Sequence, residues 1–246
     1  MKRLVAAIFR SLGYEIQPVV NKYPDIEQQF MELYNQCKTE TMTSVERMYG
    51  LYKACEYVTK NKVSGDFVEC GVWRGGSSMM AAKTFKALGD LNRNFYLYDT
   101  YEGMSLPTEH DISIKNEKVL EQWQKHQQED TKILAKAALD IVKQNMSRTA
   151  YPEQLIHYVK GKVEDTIPNT ISEQIALLRL DTDWYESTKH ELQHLYPRLI
   201  SGGILIIDDY GHWQGSRKAV DEYFMQLNFF PHLHRLDYTG RLFIKP

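Results

Sequence analysis

The sequence is poor in the features that mark several classes of protein. Only three cysteines occur in 246 residues: Cys37, Cys55 and Cys70. Their odd number and wide spacing exclude a disulfide framework and the paired-cysteine zinc patterns. Cys70 lies in an apolar run and reads as a small core residue, and a reducing, cytoplasmic setting is expected. No charge of one sign dominates. The formal net charge is −2, so nothing favours a polyanionic partner, and no nucleic acid is expected to bind. Long hydrophobic runs are absent as well. The apolar stretch Leu4–Phe9 is too short for a signal h-region or a membrane span, so no stable membrane insertion is expected. It is expected to form a short amphipathic helix that docks on the body or on another subunit of a homo-oligomer. Transient contact with a membrane surface is the alternative, because Lys2, Arg3 and Arg10 flank the apolar residues. Internal repeats and low-complexity linkers are also missing.

What is present fits one soluble domain spanning residues 1–246, with 43% apolar and 25% charged residues. A helical segment, 1–62, comes first. Asp25 with Gln28, and Thr43 with Glu46, have the spacing of capping boxes. The second opens a helix whose apolar positions Val45, Met48, Tyr49, Tyr52 and Cys55 predict a run to about Asn61, stopping near Gly65. Beyond it the texture changes to short apolar runs. Asp66–Cys70, Phe95–Asp99, Gln154–Gly161, Ile175–Asp181 and Gly202–Asp209 each read as a strand, and a helix is predicted around Met79–Leu88. Strands alternating with helices predict a parallel sheet covered on both faces. The runs HLHRLD and GRLFIK meet at Tyr238, Thr239 and Gly240. So short a link predicts a closing hairpin, which makes one strand antiparallel. The polar stretch 103–151 interrupts this rhythm, with helical character near Val119–Gln127 and Ile133–Met146. It is either a lid over the ligand edge of the sheet or a solvated helix pair.

Acidic residues fall at the carboxyl ends of the strands: Asp99 on the second, Asp181 on the fourth, and Asp208 with Asp209 on the fifth. That is the edge where open α/β sheets bind ligands. One aspartate there can simply cap a helix. Two adjacent ones repel unless a cation or a proton sits between them, which points to a metal site of oxygen donors suited to Mg²⁺, Mn²⁺ or Ca²⁺. The stretch ECGVWRGGSS, from Glu69 to Ser78, follows a strand and opens a helix. It departs from G-x-G-x-x-G, since Trp73 stands where the second glycine belongs. Glu69 would repel a pyrophosphate but suit a cationic ligand. The alternative is a plain strand-to-helix turn.

GDFVECGVWRGGSS, YLYDTYEGM, LRLDTDWYEST and GGILIIDDYGHWQGSRKAVDEYF together resemble the macrocin O-methyltransferase family, which methylates sugar hydroxyls of macrolides and related glycosides. The resemblance runs from about Thr41 to Asp221 and implies the class I methyltransferase (Rossmann-like) fold. That is an α/β fold with a seven-stranded, mostly parallel sheet, one antiparallel strand and helices on both faces. It implies S-adenosylmethionine as cofactor and Mg²⁺ held by Asp181, Asp208 and Asp209. Glu69, Gly71 and Ser77 match the cofactor turn, and Asp99 the acid that holds the ribose hydroxyls. Glu164 and Asp165 fall where the adenine is expected, Thr41, Met42 and Thr43 resemble the segment covering the methionine end, and Asp181 borders the cofactor as well. Asp183 matches the proposed general base.

A sugar hydroxyl is a weak nucleophile at neutral pH, so a cation that holds two neighbouring hydroxyls and lowers the pKa of one would serve the reaction. Asp183 could then take the proton, with His212 as the rival base or a substrate contact. Trp184, Tyr185, Tyr210 and Trp213 would suit a sugar ring or a sulfonium, or would simply pack. The acceptor expected is a sugar or a glycosylated natural product. A catechol-type acceptor and a non-catalytic carbohydrate-binding protein are the alternatives.

Overall fold

The computed structural model describes Phe9, Gly13, residues 22–117, Val119, Leu120 and residues 136–246. The helices expected over Leu4–Phe9 and Val119–Gln127 fall almost wholly outside them. Among the described residues, seven strands form one sheet: β1 (Asp66–Cys70), β2 (Phe95–Asp99), β3 (Ile156–Lys160), β4 (Ile175–Leu180), β5 (Leu199–Ile207), β6 (His234–Arg235) and β7 (Arg241–Ile244). Their order is β3-β2-β1-β4-β5-β7-β6. The first five run parallel, and β7 is antiparallel to both its neighbours. The hairpin inferred from the short link at Tyr238–Gly240 therefore supplies the one reversed strand among the described residues.

Alternation along the strands sorts the core into two layers, because successive side chains point to opposite faces. Phe67, Leu97, Leu177 and Ile204 face one layer, while Val68, Tyr98, Leu178 and Leu205 face the other. The first is covered by α1 (Gln28–Cys37), α2 (Val45–Lys60), α3 (Gly76–Ala87) and α4 (Leu139–Ser147), through Phe30, Met48, Met79 and Val142. The second is covered by α5 (Val163–Thr166), α6 (Tyr185–Leu195) and α7 (Gln214–Gln226), through Val163, Leu192 and Val220. Each large apolar side chain buried this way contributes ~1.5–3 kcal/mol.

Several local expectations shift. The first helix starts at Gln28 behind Glu27, without a side-chain cap, so Asp25 does not head a capping box. The second is capped by Ser44, whose hydroxyl accepts from the Arg47 backbone N–H at 3.1 Å. The one-residue shift has a reason: Thr43 Oγ1 is engaged elsewhere, as acceptor from Arg179 Nη2 at 3.1 Å. The third strand begins at Ile156, after a 3₁₀ turn at Glu153–Leu155. The fifth begins at Leu199 and ends at Ile207, so Asp208 and Asp209 lie just past it. Of the helix expected over Ile133–Met146, residues 133–135 lie outside the described set, and the rest is helical only from Leu139.

The beginning of the 103–151 stretch is neither strand nor helix, yet it is tied down. Ile114 N donates to His212 O at 2.8 Å and Gln214 N to Ile112 O at 2.9 Å. Trp184 Nε1 donates to Ser105 O at 3.0 Å, and Tyr185 N to Asp111 Oδ1 at 2.8 Å. These bonds strap the segment across the loops that follow β4 and β5.

Candidate active site

The carboxyl edge of the sheet closes around a cavity of about 230 Å³. The turn after β1 enters it first. Gly71 has φ +84°, and a Cβ there would meet the carbonyl oxygen of Asp181 at 1.9 Å, so only glycine lets the ends of β1 and β4 approach this closely. Gly76, opening α3, is pressed against the backbone of Glu40, where a Cβ would lie 2.5 Å from its carbonyl oxygen. That contact brings Thr41, Met42 and Thr43 over the cavity.

Asp99 ends β2 and faces the same space. Its Oδ2 accepts from Val72 N at 2.7 Å and Trp73 N at 2.9 Å, and its Oδ1 accepts from Tyr101 N at 2.7 Å. The carboxylate thus clamps the turn after β1 to its own loop. Burial raises its pKa above the ordinary carboxylate value, with these backbone donors acting against the rise.

The opposite wall carries Asp181, Asp183, Asp208 and Asp209. One oxygen from each of Asp181, Asp208 and Asp209 can be chosen so that all three lie within 4.8 Å of one another. Asp208 is paired twice, by Arg179 Nη2 to Oδ1 at 2.7 Å and by Arg47 Nη1 to Oδ2. Asp209 is buried, and no Lys, Arg or His among the described residues forms an ion pair with it. Burial first, then the charges of Asp183 and Asp181, push its pKa well above the usual range. A buried carboxylate in that position needs a proton or a cation. Three carboxylates suit a hard divalent cation, so the donor set fits Mg²⁺.

Asp183 adopts φ +66°, the left-handed region that aspartate tolerates better than most residues. The conformation places its N–H 3.2 Å from Asp209 Oδ2, and its Oδ1 accepts from Trp213 Nε1 at 2.5 Å. Burial and the neighbouring Asp181 raise its pKa to about 7. His212 lies apart. It borders a different hollow, with Trp213 and Tyr210, and its Nδ1 is 3.2 Å from the Tyr238 hydroxyl. Burial, then the Arg47 and Lys115 charges, lower its pKa.

Gly71, Ser77 and Glu164 line the cavity, whereas Asp165 and Glu69 do not. Glu69 is completely buried in β1, accepting from Ser78 Oγ and pairing with Arg179 Nη1 at 2.6 Å. The cation it serves in this structure is Arg179, beneath the turn. Arg179 also reaches Asp181 Oδ2 at 2.8 Å and Ser77 Oγ at 3.2 Å. Sequence reasoning missed it, although a charged residue inside the apolar run IALLRLD was the available signal. It also missed Arg47, and Glu191, whose buried carboxyl accepts from Thr182 Oγ1 at 2.9 Å.

A sheet in this order, with a glycine turn after β1, an acid ending β2 and further acids just past β4 and β5, defines a class I methyltransferase. The chain belongs to the macrocin-O-methyltransferase (TylF) family, whose model matches residues 25–245. It is an S-adenosylmethionine-dependent O-methyltransferase. One relative is the 8-demethyl-8-(2,3-dimethoxy-alpha-L-rhamnosyl)-tetracenomycin-C 4'-O-methyltransferase of Streptomyces olivaceus. It is 34% identical over 200 residues, 81% of this chain and 73% of that protein. The mycinamicin III 3''-O-methyltransferase of Micromonospora griseorubida is 34% identical over 183 residues, 74% of this chain and 69% of that protein. The solved structure of the O-methyltransferase NovP superimposes with a TM-score of 0.73 at 27% identity, covering 84% of this chain and 82% of that one.

Proposed function

We propose that this enzyme methylates a hydroxyl of a sugar carried by a glycosylated natural product, and that it requires Mg²⁺. The observation that carries the reading is the convergence of Asp181, Asp208 and Asp209 beside Asp183, on a cavity whose other wall is the turn after β1. The names of two relatives, which place methyl groups at the 4' and 3'' positions of their substrates, support a glycoside acceptor.

In this reading Thr41–Thr43, Gly71 and Ser77 hold the methionine end of S-adenosylmethionine. Asp99, its two oxygens already oriented by backbone donors, accepts from a ribose hydroxyl. A carboxylate has about four acceptor positions, so three backbone bonds leave room for a further one. Glu164 borders the adenine end. When bound, the divalent cation would supply the positive charge that fixes two neighbouring hydroxyls of the acceptor and acidifies one of them. Asp183 accepts the proton of the reacting hydroxyl. Burial beside Asp181 makes its carboxyl more basic than an ordinary carboxylate, and its bond from Trp213 fixes its direction. His212 borders a separate hollow, which favours Asp183 as the base. Trp184 and Trp213 pack edge-to-face at 5.3 Å and shield this corner from water.

The test is methyl transfer from S-adenosylmethionine onto a panel of glycosides, free sugars and catechols, with Mg²⁺ or with EDTA. Turnover of a glycoside that EDTA abolishes and Mg²⁺ restores supports the reading. Turnover confined to catechols, or undiminished in EDTA, refutes the acceptor or the metal requirement respectively.

A further inference from the structure

The two arginines at the carboxylate cluster are held in different ways. Arg179 lies within the sheet, 2% exposed, and its partners Glu69, Ser77, Thr43, Asp181 and Asp208 surround it. It has no other place to go. Arg47 belongs to the first turn of α2 and lines the cavity itself. Its Nη1 donates to Asp208 Oδ2, and its Nε donates to Asp237 Oδ2 at 3.0 Å. Asp208 Oδ1 is already taken by Arg179, so Arg47 holds the other oxygen of that carboxylate.

Asp237 is not part of the cluster and is fixed independently of it. Ser44 Oγ donates to its Oδ2 at 2.7 Å, and Thr239 N and Gly240 N donate to its Oδ1 at 2.9 Å and 2.7 Å. Arg47 therefore bridges two anions, one in the proposed metal site and one outside it.

We propose that Arg47 is an exchangeable counter-cation of this site: it occupies Asp208 while no divalent ion is bound, yields to Asp237 when one binds, and so lowers the affinity for that ion. The proposal rests on the metal-dependent reading above. Its physical basis is competition. A guanidinium and a divalent cation bid for one carboxylate oxygen, and like charges a few ångströms apart repel. Asp237 gives the displaced guanidinium a prepared partner, so the exchange leaves no buried charge unpaired. Arg179 holds and orients Asp208 throughout.

Two substitutions then act in opposite directions. Arg47→Gln removes the competitor, and the full-length protein should bind Mg²⁺ about tenfold more tightly, the scale of one charge-assisted hydrogen bond. Asp237→Asn keeps an amide oxygen for Thr239 and Gly240 but takes away the receiving charge. It should weaken Mg²⁺ binding several-fold, and it should have no effect when combined with Arg47→Gln. Arg47→Lys, which keeps the charge, should stay near the parent. The readout is Mg²⁺ affinity by calorimetry, repeated with Mn²⁺ by electron paramagnetic resonance, on variants whose circular dichroism and metal-free melting match the parent. Unchanged or weaker binding by Arg47→Gln overturns the proposal and makes Arg47 a residue that orients Asp208 for the metal. Unchanged binding by Asp237→Asn overturns the exchange. A parent protein that binds neither ion overturns the metal-dependent reading itself, a result distinct from either.

Discussion

The two sides of the carboxyl edge solve the problem of a buried acid in opposite ways. On the β1–β2 side, Asp99 spends its charge on the backbone, accepting from Val72, Trp73 and Tyr101. On the β4–β5 side, Asp209 has no cationic partner among the described residues, Asp183 sits beside it in a left-handed conformation, and Asp208 is shared by two arginines. The first arrangement is held by the chain's own backbone and leaves one acceptor position over. The second is electrostatically unfinished, as expected where a site must accept charge. In the proposed reading, the difference separates a wall that would position the cofactor from a wall that would do the chemistry.

The strongest way to break the comparison is to remove the unfinished acids. Asp181→Ala, Asp208→Ala or Asp209→Asn should each lower turnover about 10³-fold or more while the far-ultraviolet circular dichroism stays native, since metal assistance contributes several kcal/mol. EDTA should mimic the loss in the parent enzyme. Full activity of any of the three would remove that aspartate from the reaction.

Next in size is Asp183→Asn. Turnover should fall about 10²–10⁴-fold with cofactor and Mg²⁺ affinities retained. The deficit should shrink as pH rises, because the acceptor hydroxyl then ionises with less help. His212→Ala is the matched comparison. If it, and not Asp183→Asn, removes the pH-dependent step in rate profiles, the base is His212.

On the positioning wall, Asp99→Ala should weaken S-adenosylmethionine binding about ten- to a hundredfold, the equivalent of roughly 1.5–3 kcal/mol of charge-assisted bonding. It should also lower the melting temperature in the absence of cofactor, because three backbone donors lose their acceptor. Calorimetry showing unchanged affinity would take the ribose away from Asp99.

The smallest effect concerns Glu191, behind both walls. Burial is the main cause that pushes its pKa well above the ordinary carboxylate value. A carboxyl whose folded-state pKa is raised costs nothing below its unfolded pKa. It becomes destabilising as pH climbs above that value, until the folded-state pKa is reached. Glu191→Gln should therefore match the parent at low pH and melt at a higher temperature near neutrality. Parallel melting curves from about pH 4 to 8 would show that Glu191 carries no such penalty.

The strands that form the middle of the sheet were legible because their signal is local. Runs such as DFVEC and FYLYD, each ending in an acid or at a glycine turn, announce a buried strand and the edge where ligands bind. The adjacent Asp208 and Asp209 were legible for the same reason, since two neighbouring carboxylates after ILII repel without a counter-charge. Resemblance to a family added roles to those positions that spacing alone left open.

What only the folded chain decided are pairings across long sequence separations. Asp237 is 190 residues from Arg47, and Glu69 is 110 from Arg179. No local pattern encodes which arginine meets which acid, or that Glu69 turns inward to Arg179 instead of lining the cavity. Thr43 could not be told from Ser44 as the helix cap until the Thr43 hydroxyl was seen bonded to Arg179. Side-chain periodicity fixes the face on which a residue lies. Only the packing of β1, β4 and β5 against the first turn of α2 fixes which charges on those faces come within hydrogen-bond reach.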